Sequence, residues 1–563
     1  MTSPAPAPQT SAPALGWLLA VPALLGTLIS LVLPTGQTIW LSLHSGGVLR
    51  ESTYTGTSNY TKLLGDDAFW QALGFSLSLT LFPLLTAVVV APLLALALDR
   101  AGTWPRRAGR IVLSLAVVTF SPVGVAAAWM RGMAPEPSGV LGLVEGLREP
   151  ATAPGTLRLI VAAATFGVIC ALAVTAFLPA LRGSRVAPAM LVVGALVAIA
   201  TVAVGLQAFS IGLVLTRGGP ERSTETLAGL QYDYAFRMAE FGPGASVAAL
   251  TGVILGVLGI VATVIAVAAR LRITVVPASH AGMPSASHDM PVGGTTAEGA
   301  AAGGSPAVGG PERRSPGAVA VAVGVAALVV LVAVGLFLTW PWIDGVLAST
   351  GSEAGALGAQ VNTWVPAVSG AIMSVGVAYL GALGIGGLRP LGRHSEWLLL
   401  AFAPWLFVTT GPLGVANWQN MRNLGLIDSF LALFPPVLVS VPALLVLTLL
   451  CAGLAERTDK DFFAGVFLPS LPMAGILAGA VALMNAQDLL WPLLVVQKTA
   501  LFTAPVAQTA QLGAFATTTP DVGAATPLIA VVVALAGAVA AQLLYLDRLA
   551  ITANDSRSHT SAA

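Results

Sequence analysis

Charge is what this sequence of 563 residues has least of, at 9%, whereas soluble domains carry roughly 25%. Cysteine is nearly absent too: Cys170 and Cys451 both lie in apolar runs. This pattern predicts neither a disulfide framework nor a metal site. The five histidines fall in loops or tails without ligand spacing. The composition excludes a globular cytosolic enzyme, and the placement of cysteine and histidine argues against a metalloenzyme; we predict no cofactor. A net charge of +1 without a basic tract predicts no nucleic-acid partner.

Apolar residues, by contrast, make up 56% of the chain. A transmembrane helix needs about 20 consecutive apolar residues. Stretches of this length occur near 15–41, 74–98, 109–131, 157–181, 187–215, 245–269, 317–342, 364–388, 396–416, 429–453, 466–496 and 523–546. The sequence therefore predicts an all-α polytopic membrane protein of about twelve transmembrane helices, with the lipid bilayer as its surroundings.

The apolar stretches fall into two sets of six. Between them, residues 276–316 are rich in Gly, Ala, Ser and Pro, which is typical of a flexible linker. We therefore predict a disordered tail at 1–14, halves at 15–275 and 317–550, and a second tail at 551–563. The 99–110 loop contains four arginines, and more flank the linker. By the positive-inside rule, both termini and the linker are expected in the cytoplasm.

Short motifs of the first half carry a resemblance. GTSNYTKLL at 56–64 is followed by FWQAL at 69–73, and RRAGR at 106–110 precedes Ser121-Pro122 and Ala128-Trp129. The most specific segment is LTRGGPERSTETL at 215–227, with YAF at 234–236. In this order, the motifs resemble the first permease subunit of the maltose-type (carbohydrate) ABC importers, the binding-protein-dependent transport inner membrane component family.

The second half is similar to the partner subunit of the same importers. Its motifs are LGLIDS at 424–429, LPSLP at 468–472 and NAQDLLWPL at 485–493. The resemblance implies two permease-like halves of six helices, fused through the linker, in a bacterial cell membrane. It also implies sugars or related solutes as substrate, separate cytoplasmic ATPase subunits and an extracytoplasmic solute-binding protein. The chain lacks a G-x-x-x-x-G-K-[ST] phosphate loop of its own, so we predict a non-catalytic subunit and no enzyme.

The candidates for a substrate path are polar residues in or beside the spans, which should face protein or a water-filled path rather than lipid, and aromatic residues, on which a sugar would stack. These candidates are Gln207, Phe209, Asn485, Gln487, Asp488 and Trp491. Helix packing, capping and interfacial anchoring are competing explanations for each of them.

The loops that would engage an ATPase depart from the family pattern. The family has an EAA...DG helix in this cytoplasmic loop, but only about six residues connect the fourth and fifth spans here. The candidate coupling residues lie in the second half: Glu456, Arg457, Asp459, Lys460 and Phe463. We therefore expect weak or asymmetric ATPase engagement, or a permease-like relative that no longer depends on ATP.

Two other classes of function remain open. Asp99-Arg100 followed by Arg106-Arg107 is similar to the loop between spans two and three of major-facilitator transporters, although Ala95 replaces a glycine of that motif. Asp66-Asp67 in the first outer loop is a weaker match to lipid-linked glycosyltransferases, which usually need a larger outer domain than this chain offers.

Overall fold

The structure, a computed structural model, describes residues 13–47, 52–131, 145–183, 185–275, 317–347, 357–457, 461–512 and 526–553. The predicted linker, most of both tails, Asp459 and Lys460 lie outside these ranges. In chain order the helices are α1 Pro13–Ser42, α2 Ser58–Leu64, α3 Asp67–Arg100, α4 Thr103–Val118, α5 Pro122–Arg131, α6 Ala153–Ala180, α7 Val186–Gly205, α8 Ser210–Leu215, α9 Leu227–Tyr232, α10 Phe241–Ala268, α11 Ala318–Leu347, α12 Leu357–Leu388, α13 Gly414–Asn423, α14 Val441–Ala455, α15 Phe463–Ala486, α16 Leu490–Val495, α17 Ala504–Gln511 and α18 Leu528–Leu544.

Within the described ranges, nine helices are long and apolar enough to cross a membrane. A tenth candidate is the pair α4 and α5, which is bent by 76° at the intervening turn. The sheet content is small: β1 His44–Ser45 with β2 Thr53–Tyr54, and β3 Arg272–Val275 with β4 Leu549–Thr552. The described part of the chain is thus that of a predominantly helical, multi-pass membrane protein.

The stretch 396–416 differs from the regular span expected there. It forms 3-10 helices at Gly392–Ala401 and Ala403–Trp405 and then a turn before α13. Pro404 and the pair Gly411-Pro412 explain why a regular α-helix does not form here, because proline donates no backbone hydrogen bond and glycine destabilises a helix. The expected span at 429–453 is also shorter, since only α14, with 15 residues, is a regular α-helix there.

The two sets of helices pack against each other in a reciprocal way. The first helix of the first set, α1, packs on α12 of the second set, and the first helix of the second set, α11, packs on α3 of the first. In the same way α10 packs against the 3-10 segment of the second set, and α18 packs against α4. The largest cluster of buried apolar residues accordingly contains side chains from both sets.

Close approach of helices depends on small residues, as is usual in membrane proteins. Gly259 on α10 is the clearest case, because a Cβ at this position would collide with the carbonyl oxygen of Ala403. Large apolar side chains point outward instead: Leu191, Val319 and Leu528 are each at least 75% exposed. An apolar exterior over a core of small residues is the arrangement that a lipid environment favours.

Strands β3 and β4 join the ends of the two sets. They follow α10 and α18 and pair antiparallel, with Arg272 opposite Thr552 and Val275 opposite Leu549. We call the face of the molecule that carries them the strand-bearing face. The last described residues thus form ordered structure as far as Thr552, two residues into the predicted C-terminal tail, and α1 begins at Pro13, two residues inside the predicted N-terminal tail.

Candidate functional site

Two helices break at corresponding points of the two sets. Helix α7 ends at Gly205 and the six-residue α8 follows, with Phe209 as its N-cap. Helix α15 ends at Ala486 and the six-residue α16 follows, with Leu489 as its N-cap. Gln207 and Gln487 each precede their N-cap residue by two positions. A broken span frees backbone groups that are tolerated at membrane depth only where protein or water satisfies them.

A second pair of breaks lies beside the first. Helix α4 ends just before Thr119-Phe120-Ser121-Pro122, and α13 follows Thr409-Thr410-Gly411-Pro412. Pro122 is the first residue of α5 and Pro412 lies two residues before α13, and neither proline has a backbone N–H to donate. Both segments share the pattern Thr-x-[Ser/Gly]-Pro-x-Gly-Val-Ala, a similarity that was not among the expectations from sequence.

A cavity of about 110 Å³ lies where three of these breaks meet. This volume accommodates several water molecules. Of the predicted path residues, Gln207, Phe209 and Asp488 line it. The remaining lining residues are Leu206, Ser210, Ala228, Gln231, Thr251, Thr409, Thr410, Gly411, Pro412 and Leu490. The lining thus combines one carboxyl group with amides, hydroxyls and an aromatic ring, and it is drawn from both sets of helices.

Gln207 connects the two sets across this cavity. Its Nε2 donates to the carbonyl oxygens of Ala203 (2.9 Å) and Phe407 (2.8 Å). Its Oε1 accepts from the backbone N–H (3.0 Å) and the hydroxyl (2.7 Å) of Thr409. All the hydrogen-bonding groups of this amide are engaged, so Gln207 holds the two sets in register.

Gln231 makes a second link, which the sequence analysis missed. It lies on α9, five residues after the N-cap Thr226, and its Nε2 donates to the carbonyl oxygen of Gly411 at 2.7 Å. Gln508 on α17 lies five residues after the N-cap Thr503 and is also buried. The signal in the sequence was the glutamine at equal spacing from a threonine at the N-cap position in each half.

Asp488 and Phe209 provide the charge and the aromatic surface of the cavity. One carboxylate oxygen of Asp488 accepts from the backbone N–H of Leu490 at 3.0 Å, and the other accepts from the Thr410 hydroxyl at 3.5 Å. Phe209 packs edge-on against Tyr232, with ring centroids 5.5 Å apart. Both side chains are therefore held in place while they line the cavity.

The other three predicted path residues do not line the cavity. Asn485 donates to the carbonyl oxygen of Ala367 at 3.3 Å, and the buried Trp491 donates to that of Ala432 at 2.9 Å. Gln487 is partly buried beside Asp488 and is not among the lining residues. In this structure Asn485 and Trp491 have packing roles in the second set.

The strand-bearing face contains a cluster of arginines around Asp547. Arg182, Arg106 and Arg110 reach this carboxylate at 2.9, 3.3 and 3.3 Å, and Arg106 also pairs with Asp99 at 3.2 Å. Asp547 follows α18, at the end of the second set, whereas its partners belong to the first set. The cluster therefore fastens the end of the second set to the loops of the first.

The corresponding place in the other set contains the opposite charges. Arg272, at the end of the first set, pairs with Glu396 at 2.8 Å and with Glu456 at 3.1 Å. Arg389 pairs with the same two carboxylates at 3.0 and 2.8 Å. Asp99 and Arg106 are seven residues apart, as are Arg389 and Glu396, with the signs exchanged. We call these the Asp547 cluster and the Arg272 cluster. They occupy corresponding places in the two sets and have similar arrangements with the charges exchanged.

The predicted coupling residues have different environments. Burial alone would raise the pKa of Glu456, but hydrogen bonds and attraction from Arg272 and Arg389 outweigh it and hold the pKa below its usual range. Arg457 is exposed, and Phe463 is 57% exposed and stacks on Phe467. Five residues separate α6 from α7, and seven separate α14 from α15. Glu456 thus serves the Arg272 cluster, and the short connection between α6 and α7 leaves no room for a docking helix.

Asp66 is accounted for by local structure. Its side chain accepts from the backbone N–H of Ala68 at 3.0 Å and thereby caps the start of α3. It also accepts from the Tyr234 hydroxyl at 3.4 Å. A carboxylate used in this way gives no independent support to the glycosyltransferase alternative.

Comparison with known proteins does not assign the chain to a family. No protein-family model matches it, and no curated protein matches it.

Proposed function

We propose that this chain is the membrane-spanning permease of a solute importer and that the cavity at the helix breaks lies on the translocation path. The observation that carries this proposal is the meeting of broken spans from corresponding places in both sets. In transporters built from repeats, interrupted helices at corresponding positions mark the binding site, because their free backbone groups and polar side chains bind the solute.

In this proposal the chain has twelve spans in two permease-like halves related by a two-fold axis along the membrane normal. The reciprocal packing of α1 with α12 and α11 with α3 supports it, as does the antiparallel pairing of β3 with β4. The strand-bearing face is cytoplasmic, since the arginine-rich 99–110 loop lies there. The host membrane is the bacterial cell membrane. Sugars or related polar solutes suit the hydroxyl- and amide-rich lining.

The partners belong to the proposal as well. An extracytoplasmic solute-binding protein would deliver the solute, and cytoplasmic ATPase subunits would dock on the strand-bearing face. The second candidate is a permease-like protein uncoupled from ATP. The observation that favours this alternative is the five-residue connection between α6 and α7, together with the use of Glu456 inside the Arg272 cluster. Co-purification with candidate ATPases separates the two versions.

Thiol accessibility tests the path itself. In a Cys170→Ala/Cys451→Ala background, Ser210→Cys places a thiol in the cavity, and Leu191→Cys places one on the lipid-facing surface. A membrane-impermeant thiol reagent is expected to label the first variant and spare the second. Solute that occupies the cavity should slow the labelling. A Ser210→Cys thiol that stays unreactive from both sides of the membrane would contradict the proposal.

A further inference from the structure

The cavity at the helix breaks contains a single ionisable side chain. Of its thirteen lining residues, all within the described part of the chain, only Asp488 titrates. In the same part, no lysine, arginine or histidine forms an ion pair with this carboxylate. The carboxylate instead accepts from Leu490 and Thr410. These hydrogen bonds are made by neutral groups, so they leave its negative charge uncompensated.

The fold does not need this charge. Ala208 occupies the corresponding position of the other set, one residue before the N-cap of α8, and α8 begins there without any side-chain cap. At the break before α16, a neutral asparagine or serine would accept from Leu490 as well as an aspartate does. The carboxylate is thus an addition to a backbone arrangement that the chain builds elsewhere without it.

An uncompensated carboxylate between two apolar sets of helices is costly, and attraction to a cation that enters the cavity offsets part of this cost. The cavity offers a second group suited to a cation, since the aromatic ring of Phe209 lies in its wall. We therefore propose that the transported solute carries a positive charge, as an organic ammonium group that pairs with Asp488. This inference rests on the proposed permease function and narrows its substrate to cationic solutes, amino sugars and quaternary amines included.

Matched pairs of small molecules test this assignment on the purified full-length protein in detergent. Choline and its neutral isostere 3,3-dimethyl-1-butanol form one pair, and glucosamine and glucose form the other. Ligand binding raises the thermal unfolding midpoint. We expect an ammonium member to raise the midpoint at concentrations at which its neutral partner has no effect. Asp488→Asn, which keeps an acceptor for Leu490, should weaken that effect on the order of tenfold to a hundredfold.

Asp67→Asn is the matched control, because it removes an exposed carboxylate from the start of α3 and should leave the preference unchanged. The assignment is overturned if the neutral partners stabilise as well as the ammonium members, if Asp488→Asn keeps the wild-type preference, or if no ammonium compound has any effect. Stabilisation by glucose that Gln207→Ala abolishes would overturn the charge assignment and leave the permease standing. A Ser210→Cys thiol closed to reagent would remove the permease proposal itself.

Discussion

Removing the carboxylate of the Asp547 cluster is expected to destabilise the protein strongly. Asp547→Asn leaves Arg106, Arg110 and Arg182 around a neutral amide, and the Arg110 side chain is only 1% exposed. Deleting one member of a buried ion pair typically costs about 3–5 kcal/mol, since the remaining charge is left buried and unpaired. Here two largely buried guanidinium groups, Arg110 and Arg182, lose their partner at once, while Arg106 keeps Asp99, so the upper part of that range applies. The variant should unfold at lower temperature in detergent and elute less uniformly in size-exclusion chromatography.

Arg107→Gln serves as the control for this prediction. Arg107 also reaches Asp547, at 3.4 Å, but its side chain is 52% exposed. Exposed ion pairs contribute about 0–1 kcal/mol, so this variant should remain close to wild type. Asp547→Asn combined with Arg110→Met should recover part of the loss, because the second change removes a buried unpaired charge. A loss below about 1 kcal/mol in the single variant would refute the reasoning, because burial could then not set the strength of the cluster.

Three further variants examine other parts of the structure. Burial raises the pKa of Glu225 from 4.5 to about 7, so ionisation of this carboxyl group destabilises the folded protein as the pH rises through that window. Glu225→Gln should therefore raise the free energy of unfolding by up to about 3 kcal/mol at pH 8 and by much less at pH 5. Unfolding measured at both pH values tests this, and no gain at pH 8 would contradict it. Gln207→Ala removes the link to Phe407 and Thr409 and should cost about 1–2 kcal/mol and reduce uptake into proteoliposomes; wild-type values of both would show that the link is dispensable. Gly259→Val should displace α10 from Ala403 and cost about 1–3 kcal/mol in the same unfolding assay, whereas a neutral result would mean that this contact is loose.

The sequence alone determined where most membrane-spanning helices lie. A run of about 20 apolar residues has one low-energy solution in lipid, because every backbone group must find its partner within the segment. The stretch 396–416 is an exception. Its apolar composition predicted a span, but Pro404 and Gly411-Pro412 interrupt the helix, and hydropathy does not register a missing backbone donor.

Only the tertiary structure decided which polar residues share a site. Gln207 and Phe407 are 200 positions apart, and Arg110 and Asp547 are 437 apart. The periodicity of a single helix does not predict such pairs, because they form only when the two sets of helices pack against each other. Asn485 and Trp491 looked equivalent to Asp488 in the sequence, yet they face helix neighbours and it faces the cavity. The sequence shows that a polar group in a span needs a hydrogen-bonding partner. The packing of the other helices determines whether that group contacts protein or faces a cavity.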